Sequence, residues 1–226
     1  MKEVALAVQS LYHLDRSTLR ERALHALRTA ITSGQYRPGD YLGETDLAAH
    51  LGVSRGTVRQ ALRHLEHEGL VTAGHRSMLR VNSLSPVQVR ELFRVRATLE
   101  GLAASQIASR AHRTNAADSL RSALARLVDT DSDFIARVDA DLAFHLLLCQ
   151  LSDNSVLIDT WRQIEGRLRV VIVHAGPIRT QLLMSPDGHE TIIDTIESGD
   201  PAATMNVLDE HMALAAKQLA VGPRLL

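Results

Sequence analysis

The stretch Asp46–Val71, DLAAHLGVSRGTVRQALRHLEHEGLV, holds two short helical patterns separated by a glycine. Leu47, Ala48 and Leu51 form an apolar edge on the first. Gly52 can take the positive φ by which a chain leaves a helix, and Val53 packs under the turn. Ser54 is an N-cap for the second pattern, in which Val58, Ala61, Leu62 and Leu65 recur at helical spacing. The spacing predicts a helix-turn-helix. Its second helix carries Arg55, Thr57, Arg59, Gln60 and Arg63 away from the apolar stripe. Side chains of these types suit phosphates and the edges of guanine or adenine in a major groove, so the stretch predicts sequence-specific DNA binding.

Upstream, Leu19, Ala23, Leu27, Ala30 and Ile31 predict a helix over Ser17–Ser33, ended by Gly34 and followed by turn residues at Tyr36–Asp40. Downstream, Leu70–Thr72 and Leu79–Val81 predict two short strands of a β-wing with His75 and Arg76 at its tip. Residues 1–15 read as a leader and 16–82 as a winged helix-turn-helix domain. Residues 83–86 read as a linker, in which Ser85 caps a helix and Pro86 occupies its first position. From 87 to 226 the pattern is helical, with helices expected near 86–111, 115–129, 132–152, 154–175, 185–198 and 201–219. Asn115, Asp153-Asn154, Gly176-Pro177 and Gly199-Asp200-Pro201 supply the breaks. The fold class is therefore mainly α: a winged helix-turn-helix followed by an all-α bundle of six helices.

Composition narrows the partners. The chain has 226 residues, 45% of them hydrophobic but only 3% aromatic, so aliphatic side chains must fill the core. Residues 1–82 carry 11 Arg/Lys against 8 Asp/Glu, and the rest carries 14 against 18, a mildly basic front and an acidic rear. A single cysteine excludes an internal disulfide. No apolar run approaches the roughly 18 residues of a membrane span, and no secretion signal opens the chain, so a cytoplasmic location is expected.

The rear also carries a group of polar residues on apolar faces. Asp141 and His145 are four apart on one expected helix and point the same way. His189 and His211 flank the break at Gly199-Asp200 at nearly equal distances, which brings them side by side in an antiparallel hairpin. His189 shares a face with Ile192, Ile193 and Ile196, and His211 shares one with Val207, Leu208 and Leu214. One carboxylate and three imidazoles facing a bundle interior predict a divalent transition-metal site, for which Zn²⁺ fits best and Ni²⁺ or Mn²⁺ satisfies the same ligands. Cys149, one turn beyond His145, and the stripe Leu157, Trp161, Ile164, Leu168 and Val171 read as core. Arg167 and Arg169 lie at the margins of that stripe.

These residues together resemble the GntR family of bacterial transcription regulators, in its FadR-type branch with an all-helical FCD effector domain. At the front the resemblance rests on Ile31–Asp40, Leu47-Ala48, Gly52–Arg55, Val58-Arg59, Ala61-Leu62 and Glu68–Val71. At the rear it rests on Arg96-x-x-Leu99-Glu100, Asp141-x-x-x-His145, Asn154 and Gly199-Asp200…His211. Six helices look more like the VanR-type subgroup. The resemblance implies that Arg55, Thr57 and Arg59 contact DNA, that His75 reaches the minor groove, and that Asp141, His145, His189 and His211 hold the metal. It also implies a homodimer on a near-palindromic operator. Two positions depart from relatives: Thr45 stands where some have an arginine, and Arg76 where one has a glycine at the wing tip.

A metal at such a site suggests a small organic-acid effector whose carboxylate joins the ion, with Arg96 either pairing with that carboxylate or bridging to Glu100 one turn on. Such a switch needs about 1–3 kcal/mol of coupling between sites. Direct metal sensing is the alternative. A metal-dependent enzyme is the weaker one, because the pattern places no glutamate beside the expected ligands.

Overall fold

A computed structural model of the chain describes residues 18–74, 78–130 and 133–220. The described residues form ten helices and one two-stranded sheet: α1 Leu19–Thr32, α2 Glu44–Leu51, α3 Arg55–His67, β1 Val71–Ala73, β2 Leu79–Val81, α4 Pro86–Ala108, α5 Arg113–Asp129, α6 Phe134–Leu151, α7 Ser155–Ala175, α8 Pro177–Thr180, α9 Pro186–Ser198 and α10 Pro201–Leu219. Among them no helix is long and apolar enough to cross a membrane.

Local chemistry sets the front. Thr18 and Glu21 form a reciprocal capping box, so α1 begins at Leu19 rather than at Ser17. Gly52, at φ 64°, ends α2, and the Ser54 side chain accepts from the Thr57 backbone N–H to start α3. The strands are antiparallel with Val71 opposite Val81 and Ala73 opposite Leu79, one residue later than the expected first strand. Leu70 lies instead under α3, fully buried. Ala23, Leu27, Ile31, Leu47, Val58, Leu62 and Leu65 make the front core with Val81. The core also takes in Val170 of α7, so the rear supplies part of its lid.

The rear is a helical bundle with its own core, in which α4 lies along α10, α6 packs on α4, α5 and α7, and α9 spans α5 and α10. Ser85, the expected cap, forms a capping box with Gln88 at α4, and two of the expected breaks also supply caps, Asn154 at α7 and Asp200 at α10. Two expectations change. Asn115 does not break the chain, since α5 already begins at Arg113. Gly176-Pro177 is a bend followed by the one-turn α8, so a short seventh segment joins the six long helices of the bundle. Proline at the first position of α8 removes an N–H that a helix start leaves unpaired, and this favours the extra turn. Cys149 is fully buried among apolar side chains, and burial pushes its thiol up.

Candidate functional site

Two surfaces of different character collect the candidate residues. On the outside of α3, Arg55, Arg59 and Arg63 are exposed and Thr57 is half-buried, its hydroxyl 2.9 Å from that of Ser54. Arg59 is held by Glu44 at the start of α2, through Nε to Oε1 at 2.9 Å and Nη2 to Oε2 at 2.7 Å. The hydrogen bonds from Arg59 hold the Glu44 carboxyl below its usual range. His75 and Arg76 lie outside the described residues.

The second site is inside the bundle. α6 brings Asp141 and His145, α9 brings His189 and α10 brings His211. One ligand atom from each of the three histidines lies within 4.8 Å of the others. Asp141 joins them, its Oδ1 3.2 Å from His189 Nε2 and 3.9 Å from His145 Nε2. Asp141, His145 and His189 are buried, and His211 is half-buried. Gly188 leaves the space beside His211, since a Cβ there would stand 3.4 Å from Nδ1. Phe144 closes the back of the site, edge-on to both His145 and His189.

Partners fix how two of the rings present themselves. His189 Nδ1 lies 2.9 Å from the Ser185 carbonyl oxygen, which can only accept, so Nδ1 carries the proton. His145 Nδ1 lies 2.6 Å from Glu100 Oε2 and donates to it in the same way. Each ring is thus held from behind through Nδ1 and turns Nε2 towards Asp141, as a metal-binding imidazole does. His189 Nε2 is buried and has no hydrogen-bond partner although Asp141 is near. A divalent cation would engage this nitrogen together with the Asp141 carboxylate and the other two imidazoles. The residues present fit a divalent transition metal.

Burial pushes the His145 and His211 imidazoles down, His211 to about 3, so both are neutral and able to donate a lone pair. Burial alone would raise the Asp141 carboxyl, but the neighbouring histidines and Arg96 hold it well below the usual carboxylate range.

Glu100, expected only as a bridge to Arg96, also reaches His145 and Trp161, which the spacing did not show. Its Oε1 accepts from Arg96 Nε at 2.7 Å and from the Trp161 indole N–H at 2.8 Å, while Oε2 takes His145. Burial would raise this carboxyl too, yet Arg96 and His145 bring it down to about 2. A glutamate does stand against the histidine cluster, contrary to expectation, as an anchor behind His145. Trp161 is core, as expected, and is also a donor to that anchor. The Arg96 alternatives also resolve in part: it does bridge to Glu100, and its buried Nη2 is left without a hydrogen-bond partner.

The comparisons with known proteins now decide the family. Residues 19–81 match the bacterial regulatory proteins of the gntR family, and residues 91–214 match the FCD domain. The chain belongs to the GntR family. An uncharacterized helix-turn-helix transcriptional regulator of Mycobacterium tuberculosis is 30% identical to it over 229 residues, covering 91% of both chains. A protein of Paenarthrobacter nicotinovorans named "Probable D-xylose utilization operon transcriptional repressor" is 26% identical over 88% of both. A GntR regulator from Rhodococcus, solved as a crystal structure, shares the fold with a TM-score of 0.75 at 24% identity, over 91% of this chain and 99% of that one. As a GntR regulator with an FCD domain, the protein is a DNA-binding transcription regulator and not an enzyme.

Proposed function

We propose that this GntR protein is a homodimeric repressor released from a near-palindromic operator by a small organic acid that binds at a metal in the bundle. In this reading residues 16–82 are the DNA-binding module, 83–86 the linker and 87–226 the effector and dimerisation module. Ser54, Arg55, Thr57, Arg59 and Arg63 meet the major groove, and His75 and Arg76 reach the DNA from the wing. Asp141, His145, His189 and His211 hold the ion, with Zn²⁺ the best fit and Ni²⁺ or Mn²⁺ alternatives. Bound there, the ion supplies Lewis-acid attraction for a carboxylate. Arg96, fixed by Glu100 through Nε, offers the effector its remaining Nη2. The observation that carries the reading is the convergence of His145, His189 and His211, with one ligand atom from each within 4.8 Å of the others, beside the buried Asp141.

A second reading, direct metal sensing, is favoured by the size of the cavity beside the centre. That cavity, lined by Arg96, Asp141, His145 and His211, has about 10 Å³. It holds about one water, so an organic acid needs lining side chains to move before it can enter.

One experiment tests the site and then separates the readings. Purified protein should contain one divalent metal ion per chain by mass spectrometry of the elements, falling below a tenth in the His189→Ala, His211→Ala double variant. Metal unaffected by that change would refute the site. With metal held constant, operator release on adding small carboxylates supports the effector reading, and release that follows metal concentration alone supports sensing.

A further inference from the structure

One well-formed cleft does not touch the histidine centre. It has a volume of about 440 Å³ and opens between the two modules. Its size falls in the range of about 300–1,000 Å³ that small-ligand sites occupy. Its front wall holds Arg37 and Gly69, and its rear wall holds Arg167 and His174 of α7 and Arg179 of α8. The floor is aliphatic, built from Leu84, Val89, Val171 and Leu219. None of the residues lining it is acidic.

The way the modules meet keeps this cleft formed. Gly69, at φ 73°, lies so close to α7 that an added Cβ would stand 2.1 Å from Arg167 Nε. On the opposite side, Gly166 leaves room for Leu70, whose Cδ2 would be 3.0 Å from a Cβ there. Two glycines thus let the end of α3 sit directly on α7, and the Arg167 guanidinium lies across the Gly69 backbone at the rim. His174 adds an unmet polar atom. Its Nδ1 donates to the Val170 carbonyl at 2.8 Å, and its Nε2 is buried with no hydrogen-bond partner.

We infer that this cleft is a second ligand site, distinct from the metal centre, for a small organic anion with an apolar body. The anionic group lies among Arg37, Arg167 and Arg179, and the body covers the aliphatic floor. Arginine suits the first role because its planar fork matches carboxylate and phosphate oxygens. Because the walls come from both modules, a ligand that fills the cleft binds this docked arrangement in preference to any in which they part, and shifts the population towards it.

The probe is 8-anilinonaphthalene-1-sulfonate, an aromatic anion whose fluorescence rises in apolar sites, titrated into the full chain. Saturation at one probe per chain is expected, with hexanoate displacing it at least tenfold better than hexan-1-ol. Arg37→Ala with Arg167→Ala should weaken probe binding at least tenfold, while Arg37→Lys with Arg167→Lys stays within threefold. Both arginines are exposed, so neither change threatens folding. The His189→Ala, His211→Ala variant should bind the probe as the unaltered protein does, which keeps this site independent of the metal reading. The proposal is overturned if the alanine pair leaves the probe affinity unchanged within twofold, if hexan-1-ol competes as well as hexanoate, or if the histidine changes abolish probe binding.

Discussion

In the winged module Arg59 grips Glu44 through bonds of 2.7, 2.9 and 3.0 Å, and its side chain keeps 49% of its exposure. In the bundle Arg96 grips Glu100 at 2.7 Å, and the two side chains keep 3% and 0%. The chemistry is the same and the surroundings are opposite. At the surface, water screens the pair and the arginine can exchange its carboxylate for a phosphate or a base edge at little cost. In the interior neither charge can leave its partner, because an unpaired buried ion is costly. The first pair is therefore suited to contact that is made and broken, and the second to holding His145 in one orientation. The same kind of ion pair thus stands in two dielectrics, one at each proposed site.

The comparison breaks first at the reading face. On the proposed reading, Arg55→Ala with Arg59→Ala would remove two contacts from each half-site, four from a dimer. At about 1–3 kcal/mol for each good base contact, this loss covers most of the usual gap of about 4–10 kcal/mol between specific and non-specific binding. Fluorescence anisotropy on a selected operator fragment should show no discrimination from random DNA. Thermal unfolding should be nearly unchanged, since both side chains are exposed. Retained discrimination would move the reading role elsewhere on α3 or to the wing.

The interior pair is tested by Glu100→Gln, which keeps the shape and removes the charge. Arg96 then stays buried without a counter-ion and His145 loses its charged acceptor. Urea unfolding of metal-free protein should show a loss of about 3–5 kcal/mol, the usual result of taking one partner from a buried pair. Metal affinity should fall about 10–100-fold, as it does when the groups behind metal-bound histidines are removed. A loss under about 1 kcal/mol would mean that the two pairs differ only in position and that Glu100 is not an anchor.

The two regions were also unequally legible. The helix-turn-helix is local: Gly52 and Ser54 punctuate it and Leu47, Val58 and Leu62 pattern it within a short span, so spacing alone places it. The three histidines were within reach because Asp141 and His145 are one turn apart and the hairpin at Gly199 sets His189 against His211. Glu100 was not, because it meets His145 and Trp161 across 45 and 61 residues of chain, where no periodicity connects them. The pair Arg96–Glu100 was visible at one-turn spacing, but not what lay on its other side. The cleft was equally hidden. The positive φ of Gly69 reads as an ordinary helix end, and only folding reveals that Arg167 lies against it.

Glu44→Gln gives the smallest and most discriminating effect. Removing this carboxylate from the surface pair should change stability by less than about 1 kcal/mol, because an exposed pair is screened and side-chain order offsets part of its attraction. Its effect on DNA has a definite sign. Glu44 stands beside Arg59 at the reading face and repels phosphate, so neutralising it should tighten binding to random DNA a few-fold at low salt. The same change releases the Arg59 fork from its fixed direction, so the ratio of operator to random affinity should fall. Titrations on both DNAs across a salt series separate these effects, since the charge contribution fades with salt and the orientation contribution does not. If operator and random DNA tighten equally, Glu44 is only a charge at the interface and the exposed pair has no part in aiming Arg59.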